Sequence, residues 1–548
     1  MAAYERRVDL FSASDRLVRV HVYAALIALF LAAIFGVLQA VARAPGLYSF
    51  LPFSYYQVLT AHGTLMALIF TTFFIIGFMV FGVNRTLARP LGYRALAWIG
   101  YFLMLLGTLM AVFMILWGHA TVLYTFYAPL QAHPAFYIGL TLLVAGSWLV
   151  GWAVIHTYQQ WRRNHKNERI PLVTHGILAT LILWFVSSVG AAASLIFQLI
   201  PWSMGIIPRI DPLLTRTLFW YFGHALVYFW LIPALVIWVG FGPRIAGGKL
   251  FSDPLARLSF LLLLVLSTPV GLHHQFEDAG IHVGWKYLQT INTFAVSMPS
   301  IITGFTLTAS LEIAARARGG KGLFRWVGSL PWGDAKFAPL ALSMIMFAFG
   351  GFSGLVNGGF NLNALVHNTV WVVGHFHLQV GTAVALTFMG TTYWLLPAIT
   401  HKPLWGPRVA VAQAYLWFGG MLLMSGLMHF VGLSGSPRRT ADVTYGGNPE
   451  VAGWALPMDV AAIGGILLFI SILFFVSVVV MTLLSERGEI EDIPLASALS
   501  GPDQAPRLFD NWAFWTGVTI VLILISYAVP LAQIALSGAP GSPGFVTW

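Results

Sequence analysis

Thirteen apolar runs, each longer than 20 residues, take up most of this chain. They fall near 17–43, 55–82, 96–127, 133–160, 172–200, 215–241, 255–275, 285–314, 337–359, 365–398, 409–433, 454–484 and 512–537. A helix of roughly 20 apolar residues crosses a bilayer. The chain therefore reads as all-α: a polytopic membrane bundle of about 13 transmembrane helices, one transmembrane domain over 1–548. Charge density agrees. Lys and Arg number 29 and Asp and Glu 19, which is 9% of 548 residues, against about 25% in soluble domains. So few charges cannot cover a water-soluble surface. With 58% hydrophobic residues, disorder is excluded as well.

The net charge of +10 is topological, with no nucleic-acid partner implied, because Lys and Arg gather in cytoplasmic connectors. Basic connectors are the N-terminus (Arg6, Arg7, Arg16, Arg19), 83–95, 161–170, 242–254 and 315–336. Those between them are poor in Lys and Arg: 128–133 and 360–364 have none, and 276–284 carries Glu277 and Asp278. The N-terminus is then cytoplasmic, and an odd number of spans leaves the C-terminus outside. The acidic connector 485–510 (Glu486, Glu489, Glu491, Asp492, Asp503) breaks the trend and is expected to be solvated and partly flexible. The first apolar run is too long for a signal peptide and is expected to stay as a helix. With no cysteine, the chain holds no disulfide, iron–sulfur cluster, thioether-linked haem or thiolate copper site.

Histidine inside hydrocarbon is costly and usually functional. Of 16 histidines, His21, His133, His165, His282 and His401 are expected near loops. His119, His156, His175 and His429 fit structural hydrogen bonding. His62, His224, His375 and His377 lie well inside even-numbered spans, which run inward. At about 1.5 Å per residue all four sit about 12–18 Å below the outer end of their helix. His273 and His274 close the seventh span, which runs outward, so all six share one layer. His375 and His377 are about 200° apart around their helix, so they serve two sites with the helix as a wall between them. Mere packing histidines would explain neither the common depth nor this opposed pair. Pro269 and Gly271 loosen the backbone before His273 and His274. With His224 they make a three-imidazole copper site with an open position. Tyr228, at i+4 from His224, shares its face. His62, His375 and His377 remain for iron. Three ligands suit one saturated, electron-carrying haem and one haem with a free face.

The motifs Ala61-His62-Gly63, Gly223-His224-Ala225-Leu226-Val227-Tyr228, Thr268-Pro269-Val270-Gly271 before His273-His274, and Gly374-His375-Phe376-His377 resemble subunit I of the haem–copper oxygen reductases. The likeness runs over nearly the whole chain and is closest to the B-family, the ba-type cytochrome c oxidases. Ser252-Asp253-Pro254, His367-Asn368-Thr369 and Pro437-Arg438-Arg439 support it. The resemblance implies a haem–copper oxidase subunit I fold and a terminal oxidase. Such an enzyme reduces O2 to water with electrons from cytochrome c and is coupled to proton uptake and pumping. It implies His62 and His377 on a low-spin haem of b-type, His375 on a high-spin haem of a-type, and His224, His273 and His274 on copper B. It further implies Tyr228 joined covalently to His224 and supplying an electron and a proton. Arg438 and Arg439, assisted by Arg216, would hold the haem propionates. Partners would be a subunit II with a dicopper site, a cytochrome c or similar donor, and a small accessory membrane subunit. The location would be a bacterial or archaeal plasma (inner) membrane.

Many such oxidases carry a glutamate where Leu226 stands and acidic residues at 83–95; their absence here fits the B-family. Its proton route resembles Ser300, Thr303, Thr306 and Ser310 on one helical face, with Ser252 near its cytoplasmic end. Close relatives add two tyrosines where this chain has Leu235 and Val239, and an acid where it has Asn363. Asn368 replaces an aspartate that binds a divalent ion in some oxidases, so no such metal is expected, and Ala225 replaces a common proline. Nitric oxide reductases of the same superfamily use non-haem iron, carry glutamates near it and lack the linked tyrosine. Tyr228, Leu226 and Leu272 argue against that reading. A non-catalytic membrane haem protein or transporter would have no carbon-monoxide-reactive haem.

Overall fold

The computed structural model describes residues 2–47, 53–488 and 492–546, with side chains from residue 11. The side chains of Arg6 and Arg7, together with Glu489 and Glu491, lie outside the described residues. Among the described residues, thirteen helices are long and apolar enough to cross a membrane: Phe11–Ala42, Tyr55–Thr86, Arg94–Leu116, Pro134–Asn164, Leu172–Ser203, Pro212–Gly240, Asp253–Gln275, Val283–Ala317, Phe337–Gly358, Val370–Thr400, Pro407–Leu433, Pro449–Leu484 and Trp512–Leu536. They are spans one to thirteen in chain order.

Local chemistry sets where several spans begin. Proline in the first turn needs no N–H partner and fixes φ for a helix; Pro134, Pro212, Pro254 and Pro407 all start spans this way. Asp211 caps span six, its carboxylate accepting from Leu213 N (2.8 Å) and Leu214 N (3.2 Å). Spans two and six lie almost wholly inside the bundle, so the histidines they carry are shielded from lipid. Spans three and four meet through Gly100, Gly107, Gly139 and Gly146, where any added Cβ would strike backbone of the facing helix. Small residues let membrane helices approach this closely.

The third span ends earlier than its hydropathy suggests. The helix stops at Leu116, and Gly118, Leu123 and Phe126 take positive φ. Residues 117–133 are a loop that stays apolar because Ala120, Val122, Leu123 and Phe126 are buried. His21 also departs from expectation: it is ten residues into span one, buried, with Nδ1 on the Leu17 carbonyl.

At one end of the bundle Leu130–Gln131 pairs with Phe545–Val546, and Ile210 bridges Ser542. At the other, Leu250–Ser252 pairs with Ala498–Ser500. Alternating spans put the first set of connectors together with the C-terminus and the second set opposite. In the 485–510 connector Glu486, Asp492 and Asp503 are exposed, while its end is anchored. Asp510 binds Arg169 (3.2 Å) and Arg257 (3.1 Å), and Arg257, 1% exposed, also grips Asp253 and the Ile170 carbonyl (2.6 Å). Buried charges persist only when paired in this way.

Candidate metal centres

The helix of span seven stops at Ser267, and a 3-10 turn, Leu272–Gln275, comes after Pro269 and Gly271. The tight turn directs two successive imidazoles at His224. Ring centroids lie 4.4 Å (His224–His273), 4.2 Å (His273–His274) and 5.4 Å (His224–His274) apart. One nitrogen from each lies within 4.8 Å of the others. His224 Nδ1 and His274 Nε2 are 3.2 Å apart. Two bonds of about 2 Å meeting at a tetrahedral metal leave their nitrogens about 3.3 Å apart, so the set fits an ion. His224 Nε2 is buried with no hydrogen-bond partner, beside the Tyr228 ring at 4.9 Å. Trp220 stacks on His274 at 3.9 Å and 11°. Among the described residues, no carboxylate joins this cluster.

Span ten divides the other three imidazoles. His377 faces His62 with parallel rings, 9° between planes and 6.1 Å between centroids. A metal–imidazole bond is about 2 Å, so two laid end to end plus the half-width of each ring come to about 6 Å. The pair therefore fits one iron held from both sides. His62 Nδ1 lies 2.9 Å from the Ala32 carbonyl and His377 Nδ1 2.8 Å from that of Val373. A carbonyl only accepts, so both rings carry hydrogen on Nδ1 and present a lone pair on Nε2. His375 turns the other way: its Nδ1 is 3.0 Å from both Gly350 O and Ser353 Oγ on span nine. Such partners fix ligand orientation and raise basicity. π-helical turns, frequent at functional sites, begin two residues after His62, at Thr64–Phe70, and at His377 itself, at His377–Val384.

Two glycines that sequence reasoning passed over make room for these rings. A Cβ on Gly36 would lie 2.9 Å from His62 Cε1, and one on Gly354 2.9 Å from His375 Cε1. No local pattern marks them, because the clash is with another helix.

All six histidines line one cavity of about 950 Å³, near the top of the roughly 300–1,000 Å³ range of small-molecule sites. Arg438 and Arg439 line it too. Arg438 donates to Asn368 Oδ1 (3.0 Å), and one Arg439 nitrogen is buried without a partner. Burial and the adjacent Arg439 charge pull Arg438 down to about 10, still protonated at neutral pH. Among the described residues neither arginine has an ion-pair partner. Two half-buried cations facing a cavity call for an anion there. Arg216 does not line the cavity; it is paired with Asp278 (2.8 Å) and lies over the Tyr127 ring (5.0 Å). Arg43, not foreseen, ties down the arginine loop through Thr440 O (2.8 Å) and Pro437 O (2.9 Å).

The hydroxyl residues separate. Ser300 lines the cavity with Tyr228. Thr303, Thr306 and Ser310 are buried and donate to the carbonyls of Pro299, Ile302 and Thr306, at 2.6–2.9 Å. Steps of three residues turn back about 60° each on a helix, so they leave Ser300's face. Ser310 also accepts from Phe251 N (2.8 Å), and Ser252 caps span seven by accepting from Leu255 N (3.3 Å). Leu235 and Val239 are core residues of span six.

Residues 16–467 match the family described as Cytochrome C and Quinol oxidase polypeptide I. The chain belongs to that family. It is 41% identical over 534 residues to cytochrome c oxidase subunit 1 of Thermus thermophilus, covering 94% of each chain. It is 25% identical over 432 residues to the alternative cytochrome c oxidase subunit 1 of Bradyrhizobium diazoefficiens, covering 72% of this chain and 69% of the other. A solved heme-copper terminal oxidase dimer superposes with TM-score 0.93 at 38% identity, over 97% of this chain and 95% of that one. This is a multi-pass membrane oxidoreductase with the haem–copper oxidase subunit I fold, the catalytic subunit of a terminal oxidase.

Proposed function

We propose that this catalytic subunit belongs to the B-family, couples O2 reduction to proton uptake and pumping, and takes electrons from cytochrome c through a partner subunit. His62 and His377 ligate a low-spin haem of b-type, His375 a high-spin haem of a-type, and His224, His273 and His274 copper B. The observation that carries this is the division made by span ten: His377 meets His62, while His375 turns away and is held by span nine.

When bound, the haem iron and copper B supply the redox chemistry that reduces O2 to water. The chain's own residues do the rest. Carbonyl partners on Nδ1 hold each haem-facing imidazole in one tautomer. Tyr228, in the cavity wall beside His224, gives its phenolic proton and an electron; its covalent link to His224 is what the family resemblance implies. Arg438 and Arg439 neutralise the haem propionates, with Arg216 close by at the outer surface. Leu226 and Leu272, both buried, keep the metal surroundings dry. Protons reach Tyr228 past Ser300 from the cytoplasmic end, with Thr303, Thr306, Ser310 and Ser252 on the adjoining surface of spans seven and eight.

Without cysteine, the chain takes its electrons from a subunit II carrying the dicopper site, with a small accessory membrane subunit alongside. It sits in a bacterial or archaeal plasma membrane, N-terminus cytoplasmic and C-terminus outside. Purification of the native complex with haem typing, metal counting and carbon monoxide difference spectra tests the reading. The expected result is one copper B per two haems, one of them binding carbon monoxide. A second kind of iron with no copper would make it a nitric oxide reductase. No carbon-monoxide-reactive haem would make it non-catalytic.

A further inference from the structure

A break in a membrane helix frees backbone groups that find no water in the bilayer. In span seven the break lies just before His273 and His274. Two of the groups freed there, the Pro269 carbonyl and the Gly271 N–H, are held by one side chain from span eight. Gln289 donates from Nε2 to Pro269 O at 3.1 Å and accepts at Oε1 from Gly271 N at 3.0 Å. It is 0% exposed. One turn on, Thr293 Oγ1 lies 2.6 Å from Gln289 O and 3.1 Å from His273 Nδ1. A hydroxyl has a single proton, and the carbonyl can only accept it. The hydroxyl must therefore accept from His273 Nδ1–H, which leaves Nε2 as the one lone pair of His273 free for a metal.

We propose that Gln289 and Thr293 are positioning residues for the copper centre: the Gln289 carboxamide holds the unwound backbone so that two successive histidines face one ion, and Thr293 fixes which His273 nitrogen binds it. This rests on the proposed copper assignment. The chemistry of the carboxamide is specific. Leucine supplies neither bond, an ionised glutamate only accepts, and a protonated glutamate both accepts and donates.

The assembled oxidase is reduced under carbon monoxide, and the gas is photolysed from the haem at low temperature. The infrared stretch of carbon monoxide held on cuprous ion is then recorded, with copper loss to a chelator monitored in parallel. Q289L is expected to shift or broaden the band and speed copper loss by about tenfold or more, with the low-spin haem spectrum unchanged. Q289E is expected to show the parent band at low pH and a disturbed one at high pH, a dependence the parent lacks. T293V is expected to split the band, and T293S to restore it. Should Q289L fail to assemble, Q289E and T293V decide. A parent-like, pH-independent single band in both overturns the proposal. No copper-bound carbon monoxide in the parent itself would instead overturn the copper reading.

Discussion

Adding one methyl group at Gly36 tests the assignment of His62 without touching a ligand. The new Cβ would sit 2.9 Å from His62 Cε1 and 3.0 Å from Nδ1. Comfortable carbon contact begins near 3.5 Å, so the ring must retreat by about 0.6 Å. It retreats from span one, which also carries its Nδ1 partner, the Ala32 carbonyl at 2.9 Å. That bond lengthens to about 3.5 Å, where it ceases to be one. Overpacking costs about 1–3 kcal/mol and the lost bond about 1 kcal/mol. Loss of a partner behind a metal ligand typically weakens binding 10–100-fold, about 1.4–2.8 kcal/mol, which agrees in size. G36A should therefore turn part of the low-spin haem into a five-coordinate form that binds carbon monoxide. G354A is the mirror experiment. Its Cβ meets His375 Cε1 at 2.9 Å and pushes the ring off span nine, where Gly350 O and Ser353 hold it. It should weaken the original carbon monoxide signal and leave the low-spin band intact. Reduced-minus-oxidised spectra with and without carbon monoxide read both. Unchanged bands in both variants, or the same loss of both bands in each, would refute the separation of two iron sites by span ten.

H375A should abolish carbon monoxide binding and keep the low-spin spectrum; loss of both signals together would leave no support for separate ligands. Y228F should retain both haems and copper B on metal analysis while O2 consumption falls at least about a hundredfold, and near-normal turnover would remove Tyr228 from the chemistry. D510N leaves Arg169 without its carboxylate and Arg257 with Asp253 alone; breaking a buried pair costs about 3–5 kcal/mol, here at the low end, read as a lower midpoint of thermal inactivation. Burial, with the Arg438 charge, holds His367 down to about 4, and its Nδ1 donates to Asn363 Oδ1 at 2.9 Å. N363D puts a carboxylate there, favours the imidazolium and should raise His367 by about 1–3 pH units, visible as a new ionisation in the pH–activity profile; an unmoved profile would show that His367 does not titrate in turnover.

Legibility along the chain depends on where each signal resides. Thirteen spans and six histidines around one cavity were legible because hydropathy and Lys/Arg placement act locally, and because imidazole is rare enough in hydrocarbon to stand out. The opposed directions of His375 and His377 needed only helical geometry. Hydropathy misjudged 117–127 because a buried loop and a buried helix share the same apolar text; the positive φ at Gly118, Leu123 and Phe126 decides between them. Glu486, Asp492 and Asp503 are exposed, as the acidic text of 485–510 implies; the pairing of Asp510 with Arg169 and Arg257 was not legible, because the partners lie hundreds of residues away. The hydroxyl residues of span eight were placed on one face by spacings of three, three and four; the two steps of three drift about 60° each and separate Ser300 from the rest.

Gln289, Gly36, Gly354 and Arg43 form a different class. Glycine is ordinary in membrane helices, and a single Gln or Arg near a span end attracts no notice. Each acquires its role only from what a second helix brings against it: a ring for the two glycines, a broken backbone for Gln289, an arginine-bearing loop for Arg43. Ligands must be chemically unusual to bind metal in hydrocarbon and so announce themselves. The groups that orient them need only the right shape or one hydrogen bond, which common residues supply. A change at Gly36 or Gln289 can therefore silence a metal centre while every ligand in its motif remains.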